Sequence, residues 1–172
     1  MGYWNRGLRG SGLEDIINLT NDVYKKKKIA VIQKIPTPIT PVRFDKQTKY
    51  ITLAYFEQKS TVDYIGVAQG VPICFDVKET TKKSFPLQNI HNHQIDFMKS
   101  FVEQQGVAFV LVHFVVYSEY YCLPFNTLLF FWEKAQTGGR KSIPYSEFDK
   151  DLIVPQQDIY INYLEIVSKK ML

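Results

Sequence analysis

Apolar positions at Leu13, Ile16, Ile17, Val23 and Tyr24, with Thr20 among them, recur at helical spacing behind a glycine-rich start. They predict a helix over about 12–26 with Glu14 in its first turn. "KIAVIQKI" then reads as a strand, and "PTPITPV" ends it, because prolines cannot donate to a sheet ladder. The mostly polar run 40–49 predicts a projection, and strand character resumes in "YITLAYF" at about 50–56. "YIGVAQGVPICF" is β-branched and aromatic, punctuated by Gly66 and Gly70, and reads as two strands joined by a tight turn at "AQG". Downstream, Leu87, Ile90, His91, Gln94, Met98 and Phe101 fall on one face of a helix of roughly 86–104. A buried strand at 107–116, a shorter one near 119–123, a helix at about 125–135, the "TGGRKS" loop and a helix near 158–169 complete the order. Helix, strands, helix, strands, helices implies an α/β or α+β sandwich, a mixed sheet covered by helices with a cleft at a sheet edge.

A length of 172 residues, 45% hydrophobic and 15% aromatic, is enough for one domain with a real core and excludes a disordered chain. The formal charge of +4 is mildly basic, so a nucleic-acid partner requires local clusters. Four are present, at 24–29, 42–50, 80–83 and 138–142. Two cysteines, Cys74 and Cys122, without CxxC spacing exclude a zinc knuckle and a disulfide framework and fit a reducing cytoplasm. No signal peptide opens the chain, and the apolar runs 107–116 and 127–132 are too short to span a bilayer, so no membrane partner is expected.

The candidate chemistry lies in "STVDYIGVAQGVPICFDVKET". Side chains alternate along a strand, so Asp76 and Lys78 share one face and Val77 takes the other. The "AQG" turn folds Asp63 back towards them. An acid pair with a lysine is commonly no more than a solvated strand surface. Here "VPICF" is apolar up to the acid, which places Asp76 where a buried strand emerges into a cleft, and two crowded carboxylates there call for a cation. All-oxygen ligation suits Mg²⁺, and an ammonium beside it can orient water and offset charge building on phosphorus, which is phosphodiester hydrolysis. His91 and His93, two apart on a helix, are expected on different faces and to hold no zinc. His113 reads as a core or edge histidine.

Beyond these residues, "STVDYIGVAQGVPICFDVKETTKKSFPLQNIHNHQIDFM" resembles the signature of the bacterial RecU Holliday-junction resolvases: a "TDY" acid, an acid-x-Lys-Glu-Thr strand and an "FPLxN-H-HQ" helix, in this order. "NRG…LE", "IAVIQKIPTP" and "FFWEKAQTGGRKSI" are similar too, so the resemblance covers almost the whole chain. It implies a single nuclease domain, 1–172, of restriction-endonuclease-like α/β fold: a mixed sheet flanked by helices, with a stalk at 36–50. It implies Mg²⁺, for which Mn²⁺ can substitute, held by Asp63, Asp76 and Glu14, with Lys78 as catalytic lysine and Gln94 positioning water or phosphate. Contacts to DNA would come from Arg6, from Arg43, Lys46 and Lys49 in the stalk, and from Lys82, Lys83, Arg140 and Lys141. The implied partners are a four-way DNA junction, a second copy of the chain and a RecA-type recombinase, at the nucleoid in the cytoplasm. The chain departs from the family pattern in having Asp76 for the usual Glu, a shorter stalk, and Lys46 where an arginine is expected. Two rivals stay open: a nuclease of the same wider group that reads a base sequence or lesion, and a junction-binding modulator whose site has lost activity.

Overall fold

The computed structural model describes residues 11–57, 61–157 and 160–171. Its centre is a six-stranded sheet in the order β1 (Ala30–Lys34), β4 (Tyr64–Ala68), β5 (Val71–Thr80), β7 (Val107–Phe114), β8 (Glu119–Pro124) and β10 (Ile153–Val154). Only β5 and β7 run parallel, from Ile73 opposite Val107 to Thr80 opposite Phe114. That pairing needs a crossover, which helix α2 (Asn92–Glu103) supplies. The other neighbours are antiparallel, so this is the mixed sheet that the pattern of elements implied.

Strand alternation sorts the core onto two faces. One carries Tyr64, Phe75, Phe109 and Cys122 against α1 (Ser11–Lys26) and α4 (Tyr163–Lys170). The other carries Cys74, Val110, Val112 and Leu123 against α2 and α3 (Phe125–Gln136). Tyr64, Phe75 and Phe109 stack across three strands at centroid spacings of 4.9 and 4.8 Å. Buried polar contacts tie α1 to the C-terminal segment: Ile161 N donates to Thr20 Oγ1 at 3.2 Å and Tyr24 Oη to Asn162 Oδ1 at 3.0 Å.

Three boundaries differ from those expected. The helix placed at 86–104 begins only at Asn92. Ser84–Pro86 forms strand β6, paired with β9 (Ser142–Pro144), and Leu87–Asn89 makes one 3₁₀ turn before His91 enters the helix in extended conformation. The closing helix begins at Tyr163, because Gln156–Gln157 (β11) and Tyr160–Ile161 (β12) pair first. The third concerns the projection. It is a two-stranded ribbon of β2 (Ile39–Phe44) and β3 (Ile51–Phe56), so "YITLAYF" belongs to the arm and not to the main sheet. Pro41 sits where the register shifts, as a missing donor requires. Asp45 closes the tip, its Oδ1 accepting from Gln47 N at 2.8 Å. With no second layer among the described residues, the ribbon exposes both faces, from Ile51 at 46% to Phe56 at 74%.

The β4–β5 hairpin is fixed by two glycines. Gln69 (φ 50°) and Gly70 (φ 87°) both lie in the left-handed region, the requirement of a two-residue type I′ turn, and set Ala68 opposite Val71. Gly66 permits the close approach of β1, since a Cβ there would stand 2.3 Å from Val31 O and 2.6 Å from Ile32 Cα. Both are backbone atoms and cannot swing aside. Gly66→Ala should therefore lower stability by roughly 2–3 kcal/mol. Urea unfolding would measure it, and an unchanged midpoint would contradict this packing.

Candidate active site

The hairpin register that sets Tyr64 opposite Phe75 brings Asp63, one residue before β4, beside Asp76 on β5. Each carboxylate is held by the other strand's backbone. Asp63 N donates to Asp76 Oδ1 at 2.9 Å, and Val77 N donates to Asp63 Oδ2 at 2.9 Å. Lys78 emerges on the same side as Asp76, as the two-residue period requires. Its Nζ stands 3.1 Å from Asp76 Oδ2 and 3.9 Å from Asp63 Oδ2.

Burial makes the pair asymmetric. The Asp76 side chain is fully enclosed, whereas that of Asp63 keeps 29% exposure. Asp76 Oδ2 is buried without a properly angled hydrogen-bond donor, so its contact with Lys78 is one of charge. Burial first, and then the neighbouring Asp63 charge, push the Asp76 carboxyl up to about 7, against the pull of Lys78. Cys74, two residues earlier on the same face, is pushed up to about 12 by burial and stays a thiol.

An enclosed carboxylate oxygen with lone pairs unspent, beside a second carboxylate, fits a hard divalent cation. Among the described residues no three His, Cys, Asp or Glu side chains converge into a cage. Asp63 and Asp76 would then be the protein's share, with water and phosphate oxygens filling the remaining positions.

The other expected site residues sit on separate elements. Glu14 lies in the first turn of α1, its carboxylate paired with Lys34 on β1. Tyr64 Oη, donating to Asn18 Oδ1 at 2.9 Å one turn further along, ties α1 to the hairpin. Gln94 is buried at the start of α2, where its Oε1 accepts from His91 N at 2.9 Å, leaving the amide NH₂ as its donor group. Arg43, Lys46 and Lys49 occupy the exposed end of the arm. Lys82, Lys83, Arg140 and Lys141 are exposed along the β6–β9 ribbon, with Tyr145 N donating to Lys83 O at one end and Leu87 N to Lys141 O at the other. Arg6 lies outside the described residues.

His91 and His93 do not point apart as expected. Their rings stack at 5.5 Å and 12°, because His91 precedes the helix and is free of its geometry. His113 lies on the interior strand β7, half-buried, its Nδ1 2.9 Å from Glu79 Oε2 and its ring on Tyr120. Lys34 and Asn18 escaped the reading of the sequence. Asn18 follows Glu14 by four residues, which does place them on one helix face, but no local signal pairs Lys34 with α1.

The family model described as "Recombination protein U" matches residues 8–169. The Holliday junction resolvase RecU of Leuconostoc mesenteroides is 45% identical over 171 residues, covering 96% of this chain and 83% of its own. The protein of the same name from Geobacillus sp. is 43% identical over 171 residues, with coverages of 96% and 85%. That from Oenococcus oeni is 46% identical over 166 residues, with coverages of 94% and 81%. Among solved structures, the Holliday junction resolvase Hjc of Archaeoglobus fulgidus aligns with TM-score 0.38 at 9% identity, over 65% of this chain and 74% of its own.

The Asp76 shift has a consequence for stability. The folded carboxyl keeps its proton to about pH 7, whereas the unfolded one releases it near 3.8. The folded state therefore binds more protons across this window, and stability falls as pH rises through it. In metal-free buffer Asp76→Asn should raise Tm by roughly 3–8 °C at pH 8, with the gain vanishing near pH 4. Differential scanning calorimetry at both pH values would check it, and a gain independent of pH would contradict it.

Proposed function

The chain belongs to the RecU family, and from that premise we propose that it is a Mg²⁺-dependent endonuclease that resolves four-way DNA junctions by paired, symmetric cuts. The observation that carries the reading is the Asp63–Asp76–Lys78 cluster, in which a buried carboxylate oxygen is left without a hydrogen-bond donor beside a lysine ammonium. The names of the 43–46% identical relatives supply the substrate.

Asp63 and Asp76 would hold the metal, whose chemistry is to polarise a phosphoryl oxygen and make a bound water acidic enough to attack. Lys78 would set its ammonium beside the reacting phosphate, orient the attacking water and offset charge as the pentacovalent transition state forms. Gln94 offers its NH₂ to water or a phosphate oxygen. Glu14 would join the metal's surroundings on release from Lys34. Asp76, one methylene shorter than glutamate, reaches Asp63 N and is thereby locked to the strand.

Two opposed cuts require two centres related by a two-fold axis, so the acting species is a homodimer. The arm, with Arg43, Lys46 and Lys49 at its end, would enter the crossover, and the β6–β9 lysines and Arg140 would follow the duplex backbone. Such contacts sense shape and charge in place of base identity.

One assay panel tests this. Wild type should cut a synthetic four-way junction with Mg²⁺ and not in EDTA. Asp63→Asn should lose cleavage by more than about 10³-fold with junction binding retained, and Lys78→Ala should lose roughly 10²–10⁴-fold. Replacing 39–56 by a Gly-Ser turn rejoins Pro38 and Glu57, which already share a backbone hydrogen bond of 3.2 Å. That variant should stay folded and lose its preference for junction over linear duplex. Near-normal cleavage by Asp63→Asn, or an unchanged preference in the armless variant, would refute the respective assignment.

A further inference from the structure

The antiparallel β6–β9 ribbon has a second effect besides carrying basic residues. It brings the chain that follows α3 back beside the 3₁₀ turn at Leu87–Asn89, with Leu87 N bonded to Lys141 O at 3.1 Å. A cup of about 360 Å³ opens between that turn and the last turns of α3. It is lined by the buried Leu87, the half-buried Trp132 and Ala135, and the exposed Gln88, Gln136 and Lys141. The volume falls in the range of small-molecule sites, roughly 300–1,000 Å³.

The cup lies on the same sheet face as the carboxylates. Cys74, whose side chain shares the face of Asp76 two residues on, packs in the same core cluster as Leu87, with Trp132 and Ala135 against it. Among the described residues the Gln88 and Gln136 amides, the Trp132 indole N–H and the Lys141 ammonium make no hydrogen bond to protein, so all of them can turn to a ligand. One half-buried aromatic wall, two amides that each donate and accept, and one cation at the mouth form a set of distinct chemistry. A flat heteroaromatic ring with polar edges and an attached phosphate is its complement.

We propose that this cup receives one unstacked nucleobase of the bound DNA. Trp132 stacks on the base, Gln88 and Gln136 engage its hydrogen-bonding edge, and Lys141 meets its phosphate. The proposal rests on the junction-nuclease reading above, because a branch point lowers the energy needed to unstack a base. It adds a base-contacting element to an enzyme otherwise guided by shape, and makes Trp132 and Gln136 determinants of where the strand is cut.

The test is a protein–DNA coupling measurement in EDTA, where no cutting occurs. The full chain and its Trp132→Ala variant are titrated with a four-way junction carrying a single abasic site, moved through each position near the crossover. For wild type, one position should weaken binding about tenfold, as loss of one base–aromatic stack does. In Trp132→Ala the same abasic site should change affinity less than about twofold. Gln136→Ala, at an exposed helix position, serves as second variant should the tryptophan exchange unfold the chain, and should reduce the effect at that same position. Additive losses at every position, in folded variants, would overturn the cup while leaving the nuclease reading intact. Failure of wild type to prefer the junction over linear duplex would overturn both.

Discussion

Two backbone-to-carboxylate hydrogen bonds hold this site together: Asp63 N to Asp76 Oδ1 and Val77 N to Asp63 Oδ2. They are reciprocal across the β4–β5 hairpin, so the acids are placed by the register of the sheet and not by rotamer preference alone. A one-residue slip would send Asp76 and Lys78 to the opposite face. The type I′ turn at Gln69–Gly70 and the absent Cβ at Gly66 both protect that register, one at the hairpin's end and one along its flank.

The same arrangement costs stability. A carboxylate wholly out of water, with one oxygen unpaired, is tolerable only with compensation, and Lys78 supplies part of it by charge. On the face turned away from the acids, Tyr64 and Phe75 of the hairpin stack with Phe109 of β7. The carboxylates thus emerge on the Cys74 face of β5, beyond the core that Cys74 shares with Val110 and Val112, while the aromatic stack fills the other face.

Much of this was legible from residue order. Asp76, Val77 and Lys78 obey the two-residue period, and "AQG" fixes the turn, so the central trio could be read directly. What was hidden depends on partners remote in sequence. Pro86 and Ile90 fit a helical pattern as well as an extended one, and only the pairing of Ser84–Pro86 with Ser142–Pro144 decides for extension. "YITLAYF" has the composition of a core strand yet pairs with the proline-containing β2 in an open ribbon, since hydrophobicity does not say what an apolar residue packs against. Glu14 lies in the first turn of α1, as its spacing implied, but its pairing with Lys34 follows from how an edge strand meets α1.

The proposed reading makes the enclosed oxygen of Asp76 a cation site built into the sheet. Paramagnetic broadening by Mn²⁺ of the backbone amide signals tests it most directly, in the absence of DNA. Substoichiometric Mn²⁺ should broaden the amides of Asp63 and Val77 first in wild type and leave them sharp in Asp76→Asn. Broadening that begins elsewhere, or that persists unchanged in the variant, would contradict the account.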